Sequence, residues 1–113
     1  MKPHLQALGR LKPGQMNKTE TAYARHLDAR RQAGELAWFR FEGIKLRLAD
    51  NTFLTPDFSV MRADGGMEMH DVKGARVLFA DDAKVKMKVT AEAYPFPFFV
   101  AFPTRAGWDV EAI

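Results

Sequence analysis

Cysteine is absent from the 113 residues, which excludes a disulfide framework, a thiolate metal site and a cysteine nucleophile. Any chemistry must come from carboxylates, lysines, histidines or hydroxyls, and hard-cation chemistry stays open. No apolar run approaches a membrane span, and the opening MKPHLQALGRLKPG lacks the apolar core of a signal peptide. A soluble, cytoplasmic protein without membrane association is expected. Acids are missing from residues 1–16, which hold Lys2, Arg10 and Lys12. Internal repeats and low-complexity segments are missing too, and the length leaves no room for a second core.

What is present is the composition of an ordinary globular domain, 47% hydrophobic and 27% charged. The net charge of +3 is accounted for by the N-terminal stretch alone. Residues 1–16, punctuated by Lys-Pro and Pro-Gly, read as a basic mobile arm, with Arg10 and Lys12 as candidate phosphate contacts. Residues 17–113 read as one folded domain. If several acids there face a bound divalent cation, the surface left for a partner is more basic than the formal charge suggests, which favours nucleic acid.

The spacing predicts a helix over "NKTETAYARHLDARRQAGE". Asn17 is its N-cap, Glu20 stands at the capping-box position, and Gly34 is the C-terminal stop. Tyr23, Ala24 and Leu27 follow Glu20 by three, four and seven residues, so Glu20 belongs to the inward stripe. Strands follow at "LAWFRFE", "IKLRLA", "FLTPDFSVM" and "MEMHDVKG", the last two joined by a turn at "RADGG". Pro56 counts against a central strand unless it lies at an edge or bulge. A second helix is expected at "DDAKVKMKVTAEAYP" and a buried strand at "FPFFVAF". This order, helix, three or four strands in a meander, helix, strand, describes a small α/β sandwich with a mixed sheet.

Side chains two apart on a strand share a face, so Asp71 and Lys73 project together, opposite His70 and Val72. Folding about "ADGG" carries Asp57 beside them if the register is right; a slip of one residue would turn it away. Two carboxylates and an ammonium suit metal-assisted hydrolysis of a phosphodiester. The carboxylates offer hard oxygen ligands to Mg²⁺, with Mn²⁺ as a substitute, and the Val72 carbonyl between the side chains offers another. Lys73 would orient the attacking water or neutralise the phosphate.

"TPDF" followed by "DVKG" resembles the PD-(D/E)XK nuclease superfamily, with Pro56-Asp57 matching the PD element and Asp71-Val72-Lys73 the (D/E)XK element. The run from "NKTE" through "KLRLADNTFLTPDF", "HDVKG" and "DDAKVKMKVTAEAYP", about residues 16 to 101, is similar to a family of short phage and prophage proteins of unknown function. The resemblance implies a restriction-endonuclease-like α-β-β-β-α-β core. In resolvase-type members, such as the phage endonuclease I group that cleaves Holliday junctions, a first-helix glutamate joins the metal cluster, and Glu20 is the matching residue. A lysine after the motif often meets DNA phosphate, which implies Lys84, Lys86 or Lys88. The loop "ARVLFA" departs from the pattern by lacking the tryptophan and basic residues of many members.

The expected function is therefore a Mg²⁺-dependent DNA endonuclease acting on branched or structured DNA, and a symmetric cut suits a homodimer. Its competitor is a non-catalytic DNA- or protein-binding module on the same scaffold; an enzyme acting on RNA or single-stranded ends is a third reading. Against the site reading, Asp71 and Lys73 could form a cross-strand ion pair, and Glu20 could serve only its cap. His26 and His70 are read as satisfied or exposed side chains, Glu68 as a surface charge, Met67 and Met69 as gap-filling hydrophobes, and Trp38, Phe39 and Phe41 as core.

Overall fold

The computed structural model describes residues 14–113; Lys2, Arg10 and Lys12 of the expected arm lie outside them. The first helix, α1, runs Lys18–Gln32 and starts as expected: the Asn17 side chain accepts from the Glu20 amide at 2.8 Å, and the Glu20 carboxylate accepts from the Asn17 amide at 2.9 Å. Its end is set by Gly34, one residue past the capping Ala33. At φ +84° Gly34 turns the chain left-handed and lets the amides of Gly34 and Glu35 reach the carbonyls of Arg31 and Arg30. That left-handed turn is open to glycine at little steric cost.

Strands β1 (Leu36–Phe41), β4 (Phe58–Arg62), β5 (Met67–Val72), β6 (Phe98–Pro103) and β7 (Trp108–Ala112) form one five-stranded sheet in the order β1-β4-β5-β6-β7. Only β5 and β6 run parallel. The helix α2 (Asp81–Ala93) makes the crossover between them, preceded by a 3₁₀ turn over Arg76–Leu78. The result is an α/β domain with a mixed sheet, as expected from the sequence.

Two corrections concern the strands. The expected third strand breaks at Pro56: β2 (Leu46–Ala49) and β3 (Thr52–Leu54) pair only with each other as a separate hairpin, and β4 begins after Asp57. Proline gives no ladder hydrogen, so the chain leaves one sheet and enters the other there. The second is β7, a strand beyond the expected order; "WDVEA" alternates apolar and acidic residues after a turn closed by Gly107, which is the period-2 signal of a strand.

Each face of the sheet carries its own core. Tyr23 and Leu27 of α1 pack on Leu36, Phe58, Val60, Val72 and Ala101, with Met16, Phe39 and Phe41 at the margin. Met87 of α2 and Leu46 of the hairpin cover Met69 and Phe98 on the other face, where the Tyr94 hydroxyl donates to the Arg47 carbonyl at 2.5 Å. Trp38 is only half-buried and stands in neither cluster, unlike its two aromatic neighbours.

Candidate metal centre

The β4–β5 hairpin closes about Ala63–Gly66, where the Arg62 amide donates to Gly66. Its register sets Phe58 against His70 and Ser59 against Met69. Continued by one residue, it sets Asp57 against Asp71, and opposed residues share a face. The two are laced reciprocally: the Asp57 amide donates to Asp71 Oδ1 at 3.0 Å, and the Val72 amide donates to Asp57 Oδ2 at 2.8 Å. Each carboxylate therefore spends one oxygen on the other strand's backbone. The second oxygen of each has no hydrogen-bond partner among the described residues and is not sealed from solvent.

Pro56 contributes by what it lacks. Lys73 and Met69 donate toward β6, so the intervening Val72 directs its amide and carbonyl toward β4. The same register brings Pro56 opposite Val72, and proline has no hydrogen to give that carbonyl. The side chain of Val72 is buried in the core on the α1 side, so its part in a site would be played by the backbone oxygen alone.

Burial is the main cause pushing the Asp57 carboxyl up to about 7, and the charges of Asp71 and Glu20 push the same way, against the Val72 amide and Lys73. Burial likewise raises Asp71, opposed by the Asp57 amide and Lys73. Two desolvated acids side by side cannot both ionise cheaply without a cation. Lys73, half-buried at the end of β5, supplies part of that charge and is anchored by its amide to the Ala101 carbonyl at 3.0 Å.

Glu20 stands near enough for its charge to raise Asp57, and Thr19 on the same helix end would be met at 3.6 Å by a Cβ added to Gly74. Yet no three His, Asp or Glu side chains converge as a ready metal cage among the described residues. Glu20 is engaged in the capping box, and it flanks the aspartate pair instead of closing it. Asp57, Asp71 and the Val72 carbonyl fit a hard divalent cation: they are oxygen donors, two of them acids held above their ordinary range by burial.

His70 and Glu68 belong elsewhere. His70 is 1% exposed and joins Tyr23 Oη at 2.5 Å and Glu68 Oε1 at 2.8 Å. Glu68 also accepts from Arg62 at 2.9 Å. Burial alone would raise the Glu68 carboxyl, but the hydrogen bonds from His70 and Arg62 hold it below its ordinary value. An ionised Glu68 assigns the hydrogen to Nε2 of a neutral His70, leaving Nδ1 to accept from Tyr23. Glu68 is thus not the surface charge expected from sequence. The alternation that sets it beside His70, on the face of Tyr23, is the sequence signal for its role. His26 stacks on Tyr23 with ring centroids 5.4 Å apart and is half-buried.

Lys84, Lys86 and Lys88 are all exposed on α2. Lys84 and Lys88, one turn apart, line a cavity of about 380 Å³ with Phe79, Val100 and Glu111, whereas helical spacing turns Lys86 to the other flank. Val100 is level with Asp71 in the sheet. Comparison with protein-family models, with curated proteins and with solved structures returned no match.

Proposed function

We propose that the chain is a Mg²⁺-dependent endodeoxyribonuclease of the PD-(D/E)XK kind, from a phage or prophage, that hydrolyses phosphodiesters in branched or structured DNA in the bacterial cytoplasm. The observation that carries this reading is the reciprocal lacing of Asp57 and Asp71, beside Lys73, on one face of β4 and β5. A structural ion pair needs one acid and one base; here two acids are buried together, and burial raises both. Such an arrangement costs stability unless a cation joins it, which is the mark of a functional site. The succession α1, β1, β4, β5, α2, β6, with β6 parallel to β5, also supports the α-β-β-β-α-β reading.

Mg²⁺ or Mn²⁺, when bound, would supply positive charge against the phosphate oxygens and acidify water. The free oxygens of Asp57 and Asp71 and the Val72 carbonyl would hold it, and its charge would favour the ionised carboxylates that burial opposes. Lys73 would meet the substrate phosphate or orient the attacking water. Glu20 would act on Asp57 through its charge and could approach once substrate or cation releases it from the cap. A homodimer would supply two such sites for a symmetric cut.

One observation favours the second reading, a non-catalytic DNA- or protein-binding module: the commitment of Glu20 to Asn17 leaves the aspartate pair without a third converging acid. Incubating the protein with a four-way junction, a flap, duplex and single-stranded DNA under Mg²⁺, Mn²⁺ or chelator separates the two. Metal-dependent cutting that is lost in Asp71→Ala supports the nuclease. Absence of cutting on every substrate, or undiminished cutting by Asp71→Ala, overturns it.

A further inference from the structure

We infer that the β2–β3 hairpin is a nucleic-acid-contacting ribbon that holds the duplex arm of the substrate next to the aspartate pair. The inference rests on the nuclease reading for its substrate and goes beyond it in naming the element that binds. The hairpin register sets Leu46 opposite Leu54 and Arg47 opposite Phe53. Leu46 and Leu54 pack toward Met87 and Phe98, so alternation turns Lys45, Arg47, Phe53 and Thr55 outward, and all four are exposed.

This outer face is prepared for a polyanion. The Lys45 ammonium lies over the Phe53 ring at 4.3 Å, which steers its charge without neutralising it. Arg47 meets Asp50 at 3.6 Å, but both side chains are largely in solvent, a pairing that phosphate can displace. Arg40 adds a third cation. It faces Ser59 across β1 and β4, and its Cδ and Ser59 Oγ would both be met at 3.3 Å by a Cβ on Gly43. Arg40 therefore shares the face of Asp57 at the hairpin's root, and it makes no ion pair among the described residues. Phe53, 39% exposed, precedes Asp57 by four residues, a reach of at most roughly 14 Å of extended chain. A cation or ring on the hairpin and the acids at Asp57 can thus touch neighbouring phosphates of one strand. A two-stranded ribbon is also an element that the major groove admits.

The lysines of α2 are the competing surface. That helix also carries Asp81, Asp82 and Glu92, and a valine stripe at Val85 and Val89 occupies its outer side. The hairpin's outer face bears no acid before the Asp50 turn.

The test measures binding of a labelled four-way junction by fluorescence anisotropy, in chelator so that cutting does not intervene, across a salt series. The chains compared are wild type, Lys45→Gln/Arg47→Gln and Lys84→Gln/Lys86→Gln/Lys88→Gln, each checked for an unchanged thermal midpoint. Removing one phosphate-binding cation lowers the slope of log K against log salt by about 0.9, and the affinity roughly fivefold at 0.15 M salt. The hairpin variant should lose about 30-fold and about 1.8 of slope, and Arg40→Gln should add a further roughly fivefold loss. An unchanged affinity and slope in the hairpin variant, with the loss falling on the α2 variant, overturns the inference while leaving the nuclease reading intact. Wild-type binding that needs the hairpin, with no cutting under metal, supports the ribbon and overturns only the nuclease. No wild-type binding to any DNA overturns both.

Discussion

Replacing Asp57 by asparagine should make the metal-free protein more stable while destroying metal binding. The carboxyl of Asp57 rises from 3.8 to about 7 on folding, chiefly through burial. Because its folded value lies above its unfolded one, the contribution is fully present below about pH 4 and is lost as pH rises through about 7. A shift of about three units corresponds to as much as about 4 kcal/mol by pH 8. Asparagine avoids this loss without leaving a gap: its oxygen can still accept from the Val72 amide, and its NH₂ group can donate to Asp71. Chemical unfolding of both chains in chelator, from pH 5 to pH 8, gives the difference curve. Its subtraction also cancels His70, whose burial holds it below its ordinary value and whose contribution is instead lost as pH falls. The variant should gain steadily with pH, by as much as about 4 kcal/mol at pH 8, which a parallel thermal melt reads as a shift on the order of 10 °C. Mg²⁺ should raise the wild-type midpoint and leave the variant unmoved. A variant less stable than wild type at pH 8, or a difference that does not grow with pH, would refute the reasoning that the acids are buried at a cost which a cation relieves.

Other perturbations reach the same site from different sides. Lys73→Met removes the cation that opposes the upward shift of both aspartates; cleavage should fall by about two orders of magnitude, and proton uptake by the pair, followed by carboxyl NMR shifts, should move to higher pH. Glu20→Gln withdraws a charge that raises Asp57, so the same NMR titration should move to lower pH, whereas Asn17→Ala should cost about 1 kcal/mol of stability through the cap with a much smaller effect on that titration. Tyr23→Phe strands the buried Nδ1 of His70 and should cost about 1–3 kcal/mol in denaturant unfolding. Gly34→Ala, forced to φ +84°, should cost about 1 kcal/mol by the same measurement.

Local signals carry well because their physics is local. Asn17, Glu20 and Gly34 mark the ends of α1 through hydrogen bonds spanning only a few residues, and "RADGG" closes its hairpin in the same way. Pro56 also speaks correctly against an unbroken central strand, but one proline does not say where the chain goes next; it leads from the β2–β3 hairpin into a different sheet. Glu68 is legible only in part: alternation sets it on the face of His70, but that Arg62 and His70 both meet its carboxylate is decided by the packed sheet. The residues of β7 alternate plainly, yet five alternating residues do not name the strand they pair with, and only the packed sheet sets them against β6.

The amino-acid order alone determined the types of donor available: no thiol, two aspartates, and a lysine two residues from one of them. It also determined which elements carry them, since periodicity and capping depend on neighbours along the chain. Only the tertiary structure decided that Asp57 opposes Asp71, with Asp71 accepting from the Asp57 amide and Asp57 from the Val72 amide, because a strand register that fits one face can slip by one residue and turn the same carboxylate away. It decided as well that Glu20 flanks this pair without closing it, for that depends on how α1 lies across β5. Burial, which raises both acids together, is a property of the packed sheet and of no residue by itself.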